Sequence, residues 1–309
     1  MSVGRTIFLK ASDSKWLREH GTKAPFVRRA VSKFMPGESF EEMIAAARAT
    51  TAEGIASVFT RLGENVKDLG EADAVAGHYL DGIDRLRSLN LDCEPSIKLT
   101  QLGLDIDREL AYGHLRDLAA RAHAANNYLW IDMEQSPYVD VTLTLTRRLR
   151  EEFPRLGVCL QAYLFRTRED LEDLTARGIG VRLVKGAYNE PAAIAFPKKS
   201  DVDANFLALA QIMLAPAARA AGSRAVFGTH DVSLIQTIRA HSQAVGVKAA
   251  EYEFHMLYGI QKPAQQRLAK EGAPVRVLIA YGDYWFPWYM RRLAERPANV
   301  WFVAKSLFG

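Results

Sequence analysis

YLWIDME (128–134), GVCLQAYL (157–164) and GVRLVKGAY (180–188) are three short apolar runs in one 61-residue stretch, Tyr128–Tyr188, with the amphipathic segment YVDVTLTLTRRLREEF between the first two. Runs of this length read as buried strands, and the longer segments with a helical spacing of apolar residues read as helices. The same alternation continues outward in both directions. SVFTRL (57–62) and SIKLTQL (96–102) precede the stretch, and RAVFGTH (224–230), AEYEFHML (250–257) and VRVLIA (275–280) follow it. LDGIDRLRSL, DRELAYGHLRDLAARAHA and VDANFLALAQIMLAPAARA supply further helical spacing between them. Eight such strand–helix units predict an α/β fold, a TIM-like (β/α)8 barrel. A doubly wound sheet is the structural alternative, but no GxGxxG follows the first strand to support it.

The first 50 residues are helical in character, with VRRAVSKFM and FEEMIAAARATTAEG on either side of a Pro36-Gly37 break. They predict an N-terminal helical arm (1–50) packed on a barrel (51–309), the two forming one domain because no linker or repeat divides the chain. At the other end, AYGDYWFPWYMRRLAERPANV predicts a helix over the barrel mouth. Trp285, Phe286 and Trp288 in it suit either a membrane contact or core packing.

The chain has 309 residues, 49% of them hydrophobic and 25% charged, enough for a large core. Lys and Arg total 40 against 36 Asp and Glu, a net charge of +4 that is spread along the chain, so a nucleic-acid partner is not expected. Cys93 and Cys159 are the only cysteines and form no CxxC, which excludes a disulfide framework and a cysteine zinc site and fits the cytoplasm. MSVGRTIFLKASDSKW lacks a secretory pattern, and the most apolar run, Phe206–Ala218, is short of the roughly 20 residues of a membrane-spanning helix. GxxxxGK[ST], HExxH and GxSxG are absent, so local signatures of phosphoryl transfer, zinc proteolysis and serine hydrolysis are missing.

In a parallel barrel, chemistry sits at the carboxyl ends of the strands. Lys98, Asp132-Met133-Glu134, Gln161, Arg182 with Lys185, and Thr229-His230-Asp231 lie in or at the ends of the apolar runs, where unpaired charge is costly. One reading is internal ion pairing, for example Lys98 with Asp132. The other is a shared anionic ligand, which accounts for several cations and amides on separate strands at once. His230 and His255 read as hydrogen-bonded core histidines and no metal is expected, while Asp105 and Asp107 read as helix caps. Arg291-Arg292 reaches one carboxylate only if its helix end lies over the mouth; adjacent helical residues point about 100° apart.

PSIKLTQLGLD, IDMEQSPYVDVTL, LQAYLFRT, VRLVKGAY, AFPKKSDVDANF, EYEFHMLYGI and MRRLAERPAN together, in order and from about residue 25 to 308, resemble the bacterial single-function proline dehydrogenases. The resemblance implies a distorted (β/α)8 barrel that binds FAD and oxidises L-proline to Δ1-pyrroline-5-carboxylate by hydride transfer to flavin N5. It implies electron delivery to a quinone, a separate pyrroline-5-carboxylate dehydrogenase as the next enzyme, and a cytoplasmic protein with peripheral contact at the inner membrane.

Carried onto this chain, the resemblance implies Asp132 and Arg182 as catalytic residues. Lys98, Tyr188, Leu257, Leu278, Arg291 and Arg292 would line the substrate, with Glu295 bracing the arginine pair. Met133, Gln161, Arg182, Lys185, Gly186, Ala187, Thr229 and His230 would contact the flavin, and Lys198 and Lys199 suit either its adenylate end or a solvated loop. Paired arginines fix a planar carboxylate better than lysine does.

One position departs from the family. Leu278 stands where a tyrosine usually packs on the proline ring, and Tyr281 three residues later either compensates or does not. The smaller wall opens an alternative, a dehydrogenase for hydroxyproline or another cyclic imino acid. A flavin-less partner subunit is the non-enzymatic alternative.

Overall fold

The computed structural model describes residues 31–286, 289 and 290. Eight strands form a closed parallel barrel in sequence order: β1 (Ala56–Arg61), β2 (Cys93–Ile97), β3 (Leu129–Ile131), β4 (Leu156–Gln161), β5 (Gly180–Val184), β6 (Ala225–Gly228), β7 (Tyr252–Leu257) and β8 (Val275–Tyr281). β8 closes the ring on β1, with Leu278 opposite Val58 and Tyr281 opposite Arg61. Each apolar run supplies a strand, although β1 to β6 end earlier than their runs. Lys98, Asp132 and Lys185 therefore stand just beyond β2, β3 and β5, on the loops of the mouth.

Nine helices are described: α1 (Phe40–Ala52), α2 (Leu69–Ser88), α3 (Arg108–Ala124), α4 (Val139–Arg150), α5 (Thr167–Ala176), α6 (Lys199–Met213), α7 (Pro216–Ala220), α8 (Val232–Ala244) and α9 (Lys262–Lys270). Their starts are written in local chemistry. Ser39 caps α1 and forms a capping box with Glu42, while Asp68, Asp107 and Asp231 accept backbone N–H groups at the starts of α2, α3 and α8. Asp107 is thus a cap, as expected. Asp105 is not, since it accepts the Tyr138 hydroxyl at 2.9 Å. Helix α4 carries a Thr-Leu-Thr-Leu alternation, and within it Thr144 and Thr146 satisfy their hydroxyls on the carbonyls of Asp140 and Thr142, both at 2.7 Å.

The main core lies between the barrel and its helices. Phe40, Met43, Ile44 and Ala47 of α1 belong to it, and so the part of the N-terminal arm that is described packs on the barrel. Residues 1–30 lie outside the described residues. Trp285 and Phe286 are buried with Val31, Met35, Leu62 and Tyr289, and the Trp285 indole donates to Glu38 at 2.9 Å. This corrects the membrane-contact reading for both; Trp288 lies outside the described residues.

Inside the barrel the amino-terminal end is closed by ions. Arg224 pairs with Glu94 at 2.7 Å and with Glu253, while Arg276 reaches Asp92 at 2.6 Å, Glu253 at 2.9 Å and Glu94 at 3.2 Å. Burial pushes the Glu253 carboxyl up, but His255, Arg224 and Arg276 together hold it well below the usual carboxylate range. His255 packs edge-on to Trp130 at 5.5 Å, and burial lowers its pKa to about 4, so the neutral ring sits in this layer.

Removing one member of such a network leaves a buried charge short of its partner, at a cost of about 3–5 kcal/mol. Arg224→Met is expected to lower the urea midpoint accordingly. An unchanged midpoint would mean that Arg276 alone neutralises both glutamates.

Candidate active site at the barrel mouth

Side chains alternate between the interior and the helices along each strand. Ser96, Cys159, Arg182, Leu257 and Leu278 share the inward parity, and Asp132 and Lys98 continue it past the ends of β3 and β2. At the centre Arg182, 3% exposed, is paired through Nη2 with Asp132 Oδ1. Ser96 ties the two together, accepting from Arg182 Nη2 at 2.8 Å and donating to Asp132 Oδ1 at 3.0 Å. Burial opposes the guanidinium's charge, and Asp132, Cys159 and Glu94 together more than offset it. The internal pair is therefore Asp132 with Arg182, in place of Lys98 with Asp132. Lys98 is half-buried, has no ion-pair partner among the described residues, and bears electrostatically on Glu134.

Two polar atoms near this pair are buried with no hydrogen-bond partner among the described residues: Arg182 Nη1 and Gln161 Oε1. Gln161 spends its amide N–H on the Glu134 carbonyl at 3.2 Å, so its oxygen remains available. Met133 is buried and belongs to the main core. Two glycines keep backbone close to this end of the barrel. A Cβ on Gly228 would lie 2.7 Å from Val184 Cγ1, and one on Gly186, at φ 113°, would fall within the Tyr163 ring. Ala187 and Tyr188 follow Gly186, each half-buried.

The loops are tied to one another. His230 Nε2 accepts the Leu257 N–H at 2.8 Å, which fixes its proton on Nδ1, and the Thr229 hydroxyl accepts the Asp231 N–H at 3.1 Å. Glu190 accepts from the Ser136 N–H at 2.8 Å and its hydroxyl at 2.6 Å, joining the loops after β3 and β5. Lys185 is held by Asp203 at 2.5 Å and Asp231 at 3.1 Å, at the α6–α8 side of the mouth and apart from Arg182. Lys199 is exposed but joins the same two aspartates, so it is not simply solvated; Lys198 is exposed at the start of α6.

Leu278 is half-buried against Val58, Trp130 and Val226 inside the barrel. Tyr281 has the opposite parity. Its ring lies in the outer core and its hydroxyl bonds His78 Nε2 of α2 at 2.7 Å, so it does not join Leu278 on the interior wall. Arg291, Arg292 and Glu295 lie outside the described residues. Ser96, Trp130, Cys159 and the Ser136–Glu190 clamp were not anticipated. Only the inward parity of the first three was open to sequence reading.

A closed parallel barrel with a buried charge pair and orphaned polar atoms at its carboxyl-end mouth defines an enzyme site of the (β/α)8 class. The proline dehydrogenase family profile matches residues 43–305. The chain is 37% identical over 303 residues to proline dehydrogenase 1 of Bacillus subtilis subsp. natto, covering 98% of each, and 35% identical over 280 residues to the proline dehydrogenase of Deinococcus radiodurans, covering 89% of each. Among solved structures, proline utilization A from Bdellovibrio bacteriovorus superposes with a TM-score of 0.80 at 22% identity over 94% of this chain, which spans only 36% of that longer protein. The chain belongs to the proline dehydrogenase family, and its activity is that of an oxidoreductase of proline catabolism.

Glu134 offers a pH test. Burial raises its carboxyl to about 7, against the opposing pull of Thr100, whose hydroxyl and N–H lie 2.5 and 3.1 Å away. A folded value above the unfolded one contributes stability that is full below about pH 4.3 and is lost as pH rises through about 7, some 3 kcal/mol in all. Glu134→Gln is expected to flatten the stability profile between pH 5 and pH 8 in chemical unfolding, and an unchanged slope would contradict it.

Proposed function

We propose that this enzyme oxidises L-proline to Δ1-pyrroline-5-carboxylate with FAD held at the barrel mouth, and that a membrane quinone receives the electrons. The observation that carries the reading is Arg182 Nη1. It is a buried cationic donor, fixed by Asp132 and Ser96, with one edge left for a ligand. Beside it Gln161 Oε1 offers an acceptor. A donor edge and an acceptor in one dry site match the alternating acceptors and N–H of a flavin ring better than a simple anion. The close-packed glycines at 186 and 228 suit a flat group lying on backbone.

Bound there, FAD supplies a two-electron acceptor for the hydride that leaves the carbon next to the substrate nitrogen. The chain's own residues do the rest. Arg182 supplies a fixed positive charge in a low-dielectric site without reorganisation. Asp132 and Ser96 keep that charge in place. Lys98, without an ion partner among the described residues, adds positive potential for the substrate carboxylate, whose bidentate grip is assigned to Arg291 and Arg292 with Glu295 behind them. Leu257 and Leu278 provide the apolar wall, and Met133, Gly186, Ala187, Tyr188, Thr229 and His230 line the flavin side. Lys185, bound to two aspartates, acts by holding the α6 and α8 ends in register. The product passes to a separate pyrroline-5-carboxylate dehydrogenase. Because a lipid-dissolved quinone is the acceptor, the enzyme works in the cytoplasm at the membrane surface; no helix among the described residues is long and apolar enough to cross it.

The purified protein is expected to show an oxidised-flavin absorbance spectrum that bleaches on anaerobic addition of L-proline. A spectrum unchanged by proline would overturn the substrate, and no flavin after incubation with FAD would favour a flavin-less partner subunit.

The exchange of tyrosine for Leu278, with Tyr281 turned outward, favours a second reading of the substrate: tolerance of a substituted ring such as trans-4-hydroxy-L-proline. One side chain in a pocket changes discrimination by about 10- to 200-fold. Leu278→Tyr is expected to raise the kcat/KM ratio of L-proline over trans-4-hydroxy-L-proline within that range, and equal ratios in the two proteins would reject a role for this wall.

A further inference from the structure

Trp130 is the largest side chain inside the barrel and is fully buried, yet it is ringed by charge. Its indole N–H donates to Glu94 Oε2 at 2.7 Å. Two guanidinium carbons stand over its ring system, Arg182 at 5.1 Å and Arg224 at 5.4 Å from a ring centroid. Arg182 belongs to the mouth and Arg224 to the ionic floor, so one aromatic plate touches both. The indole has room because residue 157, on the neighbouring strand β4, is glycine: a Cβ there would collide with the six-membered ring of Trp130. Tyr128 at 5.0 Å and His255 at 5.5 Å close its remaining sides.

We infer that Trp130 is a positioning residue, a fixed aromatic floor that holds the Arg182 guanidinium at the angle its free Nη1 edge requires. This rests on the reading of Arg182 as the cation beside the flavin. A desolvated cation over an indole is attracted by the negative face of the ring, and a phenyl face binds more weakly. Asp132 and Ser96 both engage Nη2, and Cys159 lies against the same guanidinium. The indole adds a contact from its ring face, and the Glu94 bond restricts the indole. Glu94 is in turn set by Arg224 and Arg276, so the ionic floor fixes the orientation of a group at the mouth.

The test is a double-mutant cycle on the FAD-loaded enzyme: wild type, Trp130→Phe, Arg182→Lys and the double variant, each read by the midpoint potential of its flavin. A well-placed cation favours the electron-rich reduced form. With Arg182 present, Trp130→Phe is expected to lower the reduced-to-oxidised ratio at fixed potential by about tenfold, or about 30 mV for a two-electron couple. In the Arg182→Lys background the same change is expected to be under about twofold. An equal shift in both backgrounds would show a general packing role and overturn the inference.

Gly157→Ala, which keeps the indole but displaces it, is expected to reproduce the Trp130→Phe shift; a wild-type potential in that variant would also overturn it. A flavin-free readout separates this inference from the proposed function. In 15N-arginine-labelled protein the Arg182 side-chain resonance, identified by its loss in Arg182→Lys, is expected to be displaced by the indole ring current and to move in Gly157→Ala. A resonance at the ordinary arginine position would refute the contact whether or not FAD binds, whereas a displaced resonance in a protein that never takes up FAD would retain the contact and reject the flavin reading.

Discussion

A guanidinium in the middle of a barrel has lost nearly all its water, and the loss is tolerable only if a carboxylate is buried with it and every polar atom finds a partner. Arg182 meets the first condition through Asp132 and leaves the second incomplete at Nη1. Much of the mouth is arranged around that pair. Ser96 is needed at β2 to bridge it, and small or polar side chains at β4 and β6 leave room beside it. The loops of the mouth are pinned by Ser136–Glu190 between two of them, by His230 to the end of β7 at Leu257, and by Asn205 of α6 to the Ala162 carbonyl at 2.7 Å. A site held this way is pre-organised before any ligand arrives, which is where electrostatic catalysis gains most.

The two ends of the barrel divide the work. At the amino-terminal end Glu94, Arg224, Glu253 and Arg276 pair with one another and close the interior, a structural use of charge. At the carboxyl end the charges are left partly unsatisfied. The apolar residues between them, Val58, Val226 and Leu278 around Trp130, form a thin dry layer that keeps the two ionic systems from merging. Leu278 therefore serves packing as well as selectivity, because it faces both this layer and the mouth.

Periodicity was enough to find all eight strands, because each is buried on both faces and therefore reads as a continuous apolar run. It was not enough to end them. Lys98, Asp132 and Lys185 prolong apolar runs whose ladders have already stopped, and hydrophobicity carries no mark of that. The Tyr281 question was in principle answerable from alternation, since an odd offset from Leu278 puts the two side chains on opposite faces. The pairing of Asp132 with Arg182 was not, because β3 and β5 are separated by β4 and meet only across the closed interior. The match of Gly157 to Trp130 is of the same kind, a contact between neighbouring strands whose register a single sequence leaves open.

The central claim is that Arg182 holds the flavin and that Asp132 holds Arg182, and it is tested most directly by measuring FAD affinity and stability together in Arg182→Met and in Arg182→Met with Asp132→Asn. The single variant strands a buried carboxylate, so it should lose both stability and FAD. The double variant removes the stranded charge, so it should regain most of the stability while FAD binding stays weakened by at least about tenfold, the loss expected for one charged hydrogen bond. Wild-type FAD affinity in the stable double variant would contradict the account.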